Sequence, residues 1–243
     1  IKAQEKLLNF RRKFKQFKFP SFPTISSTGS NGAIVHYNAT KKTNKILKNG
    51  NIYLVDSGGQ YHFGTTDVTR TISLNNNNYR IKKAFTRVLQ GHLNLTNYKL
   101  TKNTSGAILD KVARKKLKKM NLDYAHGTGH GVGYFLNVHE GPQSISKFND
   151  VNLKEGMIIS NEPGFYKKGK FGIRLENMIY VKQLRSKIFF KNLTMVPFDK
   201  DLININLLTD KEKNYLINYN LEIYSNIQKY LTYKEKFWLL SQF

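Results

Sequence analysis

The spacing of apolar and polar positions changes several times along the chain, and each change marks an element. Residues 1–18 follow a helical spacing with a polar, basic face. From 19 to 74 the pattern shortens to strand-like runs, "AIVHY", "NIYLVDSG" and "TTDVTRTISL", parted by Gly, Ser and Asn. Helical periodicity returns over about 79–96 and 104–120, the second run ending in "RKKLKKM", whose cations suit a helix C-terminus. "HGTGHGVGYFLNVHEGP" is too rich in glycine for a helix. Strands follow at about 157–162 and 171–182, and a mixed, mainly helical tail begins at 209. There is no internal repeat, so the chain reads as one organised unit.

Four acids interrupt this pattern. Asp56 and Asp67 stand in runs that otherwise read as buried strands, and Gly58, Gly59 and Gly64 permit a sharp return between them. The two carboxylates can therefore lie side by side on neighbouring antiparallel strands. Glu162 ends the apolar run "MIISNE", and Glu176 falls in the middle of "FGIRLENMIYV". Desolvating an unpaired carboxylate costs on the order of several kcal/mol. Arg174 and Arg70 could pair with two of the four, which leaves the set short of positive charge. Four strand carboxylates with one histidine form a hard, oxygen-rich site suited to Mn²⁺, Co²⁺, Fe²⁺ or Zn²⁺, able to hold two ions if two carboxylates bridge.

His126, His130 and His139 fall within fourteen residues of the glycine-rich stretch, where side chains can converge on a ligand, and His36 lies in "GAIVHYN". His62 and His92 read as structural. "HGTGH" has the four-residue spacing of a zinc-binding helix but lacks the Glu of H-E-x-x-H, and its glycines oppose a helix.

Composition narrows the class. With 243 residues, 40% of them hydrophobic, the chain can bury the core of one large domain or a tightly fused pair. No run is long and apolar enough to span a membrane, and "IKAQEKLLNFRRKFKQFKF" is too charged for a signal peptide. Cysteine is absent, so any metal relies on carboxylates and imidazoles, and a reducing, cytoplasmic location is expected. The first residues are Ile-Lys, not Met, which leaves room for a preceding portion. A net charge of +24 would suit nucleic acid, but the lysines run from end to end beside abundant Asn, Ile, Tyr and Phe, the mix an AT-rich genome encodes. Only "RRKFKQFK" and "RKKLKK" form clusters, so nucleic acid is not expected as the partner.

Four stretches in order, "TISSTGSNGAIVHY", "DSGGQYHFGTTDVTRT", "HGTGHGVGYFLNVHEGP" and "SNEPGFYKKGKFGIRLEN", resemble the Xaa-Pro aminopeptidase (aminopeptidase P) family, long cytosolic type, of the pita-bread metallopeptidase superfamily. The likeness runs from about residue 5 to 240. It implies an α/β (α+β) fold of two pseudo-symmetric halves, with a curved, mainly antiparallel sheet flanked by helices. It implies a pita-bread catalytic domain over 1–200, a C-terminal helical extension over 201–243, and N-terminal creatinase-like domains that this chain does not contain. The site it implies holds two divalent ions, Mn²⁺ foremost with Co²⁺, Zn²⁺ or Fe²⁺ as alternatives. Asp56 would chelate one ion, His130 and Glu162 the other, and Asp67 and Glu176 would bridge. A hydroxide shared by the ions would attack the peptide bond before a penultimate proline. His36, His126, His139, Tyr166 and Arg174 match non-ligand active-site positions, and Glu162 would also relay the proton. The resemblance further implies a homodimer through the tail, although Tyr215, Ile217 and Asn220 stand where the family has Trp, Asn and His. Prolidase and methionine aminopeptidase share the five ligands, and some proteins of this fold are non-catalytic basic binding modules.

Overall fold

The computed structural model describes residues 1–135 and 137–243; Leu136, within the glycine-rich stretch, lies outside them. In chain order the elements are α1 (Lys2–Arg12), β1 (Phe17–Phe19), β2 (Ile25–Thr28), β3 (Asn51–Ser57), β4 (Gln60–Tyr61), β5 (Gly64–Thr65), β6 (Val68–Leu74), α2 (Tyr79–Thr96), α3 (Gly106–Lys118), β7 (Gly129–His130), β8 (Ser144–Ile145), β9 (Ile158–Asn161), β10 (Gly164–Lys167), β11 (Phe171–Arg174), β12 (Asn177–Leu184), β13 (Lys187–Asn192), α4 (Asp210–Ile227) and α5 (Tyr233–Leu240). Among these residues no helix is long and apolar enough to cross a membrane.

Two three-stranded antiparallel sheets, ordered β2-β3-β6 and β13-β12-β9, carry the site. Along β3, Ile52, Leu54 and Asp56 are buried and alternate with the less buried Asn51, Tyr53 and Val55, so the period of two turns Asp56 to the inner face. Asp56 pairs with Thr69 on β6, and Asp67 lies two residues before Thr69. The second sheet repeats the arrangement: Glu162 directly follows β9, Glu176 directly precedes β12, and Asn161 pairs with Asn177. Each sheet thus offers one acid where a strand ends and one where its antiparallel partner begins. Thr69 joins the sheets, its carbonyl accepting the Glu176 N–H at 3.1 Å. The return from β3 towards β6 depends on Gly58, where a Cβ would overlap the Thr66 carbonyl oxygen.

The helices cover this frame. Asn78 caps α2 by accepting from the N–H groups of Arg80 and Ile81. Its apolar face (Ile81, Phe85, Val88, Leu89) packs with Ile173, Leu175, Phe198 and Ile223. Leu109 and Ala113 of α3 join Leu95, Ile145, Ile159 and Ile179 in a second core.

Two expectations are corrected. "AIVHY" is not a strand: Gly29–Ala33 form a 3₁₀ turn and residues 34–36 a bend and turn, while Ile25–Thr28 pair with β3. The backbone of Gly32 there presses on Gly172, an approach that a Cβ on Gly172 would block. The strand expected over 171–182 divides at Leu175 and Glu176 into β11, which forms a hairpin with β10, and β12, which belongs to another sheet.

Candidate metal centre

A cleft of about 530 Å³ opens where the two sheets meet. Asp56, Asp67, His130, Glu162, Glu176, His36, His126, His139 and Arg174 all line it, and Tyr166 reaches it through His126 and Arg174. His62 and His92 do not. His62 stacks on Phe135, and His92 is fully buried against Phe198.

The acids face one another closely. Atoms of Asp67, His130 and Glu176 lie within 4.8 Å of one another, a grouping able to hold a metal ion. His130 Nε2 is 3.2 Å from Glu162 Oε1 and 3.5 Å from Asp67 Oδ2. Its Nδ1 donates to the Gly131 carbonyl at 2.9 Å, which orients the ring and turns Nε2 into the site. Arg174 Nη2 meets Asp56 Oδ2 at 2.7 Å, so one of the two pairings expected from sequence exists. Arg70 makes no such pair; its guanidinium donates to the carbonyls of Thr69, Glu176, Val196 and Pro197 and to Asn177 Oδ1.

Burial raises the Asp56 carboxyl to about 7 against the pull of Arg174, with Asp67 and Glu162 adding to the rise. Glu176 is driven well above the usual carboxylate range by burial and by the same three acids. Glu162 moves the other way: His130 overcomes burial and holds it at about 2. Burial would lower His130, yet Asp67 and Glu162 lift it to about 10. Four carboxylates here cannot all ionise with Arg174 and His130 as their only counter-charges. Asp56 Oδ1 and Asp67 Oδ1 are moreover buried without a hydrogen-bond partner among the described residues, the costliest condition for a polar atom. Two divalent cations would balance four negative charges and engage those oxygens, so these residues fit a dinuclear oxygen-rich centre.

Two supporting hydroxyls stand beside the acids and were not marked in the sequence. Ser160 Oγ donates to Glu162 Oε1 at 3.1 Å and accepts the His130 N–H at 3.0 Å. Thr69 Oγ1 donates to Glu176 Oε2 at 2.8 Å and accepts from Arg174 Nε at 3.3 Å. The strand period offered a signal, since Ser160 lies two residues before Glu162 and Thr69 opposite Asp56.

A directed chain crosses the cleft wall. Arg174 Nη1 donates to Tyr166 Oη at 2.6 Å, and the hydroxyl, its pKa raised to about 12 by burial, donates to His126 Nε2 at 2.9 Å. His126 Nδ1 donates to the Gly127 carbonyl at 2.7 Å. Burial lowers the pKa of His126, so the ring is neutral and both nitrogens are engaged. His36 and His139 are exposed, and their rings make no hydrogen bond among the described residues. Opposite lies an apolar wall of Phe22, Pro23, Ile25, Val35 and Tyr37, which includes residues that the sequence had not marked.

Residues 1–183 match the model of metallopeptidase family M24, and residues 188–242 match that of the C-terminal region of peptidase M24. A probable Xaa-Pro aminopeptidase P of Fusarium vanettenii is 45% identical over 241 residues, covering 95% of this chain and 39% of that protein. Xaa-Pro aminopeptidase 1 of Dictyostelium discoideum is 47% identical over 228 residues, 90% of this chain and 36% of that one. Among solved structures, an X-prolyl aminopeptidase from Caenorhabditis elegans, described as a cytosolic enzyme with a di-nuclear active site, matches with a TM-score of 0.92 at 36% identity. That match covers 98% of this chain and 41% of that one. A prolidase from Pyrococcus furiosus matches with a TM-score of 0.66 at 30% identity, over 75% and 51% of the two chains. The chain spans about two fifths of the length of the curated relatives it matches.

Proposed function

The chain belongs to metallopeptidase family M24 and has the pita-bread fold, and on that premise we propose that it is the catalytic part of a dinuclear aminopeptidase. The substrate is a peptide with proline second, cleaved after its first residue. Asp56 would hold one divalent ion, His130 and Glu162 would hold the other, and Asp67 and Glu176 would be shared between them, with Mn²⁺ the first choice of metal. Support comes above all from the buried, unpartnered oxygens of Asp56 and Asp67, which face His130, Glu162 and Glu176 in one cleft. Residues 1–200 form the catalytic domain and 201–243 its C-terminal extension. A cytoplasmic location rests on the cysteine-free sequence and on the description of the C. elegans relative.

Bound in such a site, two cations supply Lewis acidity, polarising the scissile carbonyl and lowering the pKa of water. The side chains do the rest. Glu162 accepts a proton from the attacking water, with one of its oxygens fixed by Ser160. His36 and His139 donate hydrogen bonds to the substrate as negative charge develops on it. Arg174 neutralises Asp56 and, through Tyr166, holds His126 in one tautomer. The apolar wall takes the pyrrolidine ring, which brings no N–H in need of a partner.

Hydrolysis of Xaa-Pro-Yaa, Xaa-Pro and Met-Xaa peptides by the full-length protein with Mn²⁺ tests the assignment. Cleavage of Xaa-Pro-Yaa ahead of the others is expected. Preference for the dipeptide would make the protein a prolidase, and preference for Met-Xaa a methionine aminopeptidase. Protein that neither binds metal nor cleaves any of them would be a non-catalytic module.

A further inference from the structure

We propose that a second cleft, formed by the ends of α2, α3 and α4, binds a compact oligophosphate anion. The cleft has a volume of about 550 Å³ and shares no lining residue with the metal centre. Its walls carry Lys99, Lys115, Lys116, Lys119 and Lys211. Lys115 and Lys119 are four residues apart and Lys116 is three before Lys119, so these ammonium groups leave one side of the α3 terminus. Lys99 comes from the turn after α2, and Lys211 from the first turn of α4. Elements distant in sequence therefore bring five cations to one concavity.

None of the five lysines has an ion pair among the described residues. The one acid in the wall, Glu212, is buried, and its Oε2 already accepts from Thr209 N at 2.8 Å and Gln90 Nε2 at 2.9 Å. The N-terminus of α4 opens beside the same lysines. Thr209 takes up the N–H groups of Glu212 and Lys213, while those of Asp210 and Lys211 make no hydrogen bond among the described residues.

The ligand class follows from shape and charge together. Low-dielectric walls focus the field of several like charges, so a small ligand carrying several closely spaced negative groups gains most. A nucleic acid strand calls instead for a track of cations with stacking aromatics along a groove. Five cations gathered from three elements around one open concavity match adjacent phosphoryl groups better.

Because the whole chain is basic, the test needs a charge-matched control. Inorganic tripolyphosphate is titrated calorimetrically, at physiological ionic strength, into wild type, Lys115→Ala/Lys119→Ala, and Lys229→Ala/Lys234→Ala, whose lysines are exposed elsewhere. Heat from chelation of active-site metal is common to all three and cancels in the comparison. Saturable binding is expected in wild type and in the control, weakened at least about tenfold in the cleft variant, whose melting temperature without anion stays unchanged. Equal weakening in both variants, or no saturable binding, would reduce the effect to general charge attraction and overturn the site. So would tighter, cleft-dependent binding of a single-stranded oligonucleotide at equal phosphate concentration, which would make this a nucleic-acid surface.

Discussion

Replacing Asp67 by Asn, or Glu176 by Gln, preserves the shape of the side chain and removes a charge that both proposed ions share. Each variant should lose hydrolysis and bind less metal, which activity assays and elemental analysis read separately. The histidines divide by their contacts. His130 turns Nε2 towards Asp67 and Glu162, so His130→Ala should lower metal content and activity together. His139, edge-on to His130 with ring centroids 4.1 Å apart and exposed to the cleft, should act on substrate. His139→Ala should keep its metal and lose about 10²- to 10³-fold in kcat. The same is expected of His126→Ala, through the chain from Arg174 and Tyr166 and not through a ligand bond. Losses that tracked melting temperature instead would mean that these rings merely brace the loop. The acids were legible in the sequence because charge inside a buried strand breaks a strong pattern. Ser160 and Thr69 were not, because Ser and Thr are ordinary in strands and only their partners give them a role.

Elements were legible where their own periodicity settles them. The patterns over 79–96 and 104–120 became Tyr79–Thr96 and Gly106–Lys118, because amphipathic spacing and caps act locally. "AIVHY" failed because strand pairing is decided by tertiary neighbours, here the approach of Gly32 to Gly172. On β3–β6, Gly58→Ala would drive a methyl group into the Thr66 carbonyl, so a loss of about 1–3 kcal/mol is expected together with weakened metal binding as Asp67 shifts. On α2, His92 has both ring nitrogens buried without a partner among the described residues, and burial, reinforced by Arg70, lowers its pKa from 6.5 to about 3. The unfolded chain takes up a proton at His92 below pH 6.5 that the folded chain refuses until about pH 3. Stability from this neutral ring is thus complete above 6.5 and declines as the pH falls towards 3, by about 1.4 kcal/mol per pH unit. Urea unfolding across that range should give a shallower pH slope for His92→Leu than for wild type; parallel slopes would contradict the assignment.

Across the molecule, two sheets meet so that each contributes a pair of acids to one cleft, and apart from the buried Arg174 and Arg70 the positive charge is spread mainly over the surface. That distribution predicts weak, steeply salt-dependent association with duplex DNA, a sum of phosphate contacts. A sequence-selective complex at physiological salt would contradict it. If the buried acids serve to hold metal, the metal content of the protein reports it. Protein loaded with Mn²⁺, dialysed and analysed by elemental mass spectrometry should retain two ions per chain, with a clear deficit in Asp67→Asn and Glu176→Gln of unchanged secondary structure. Wild-type protein that retains no metal, or bridging variants that retain both ions, would contradict the dinuclear centre.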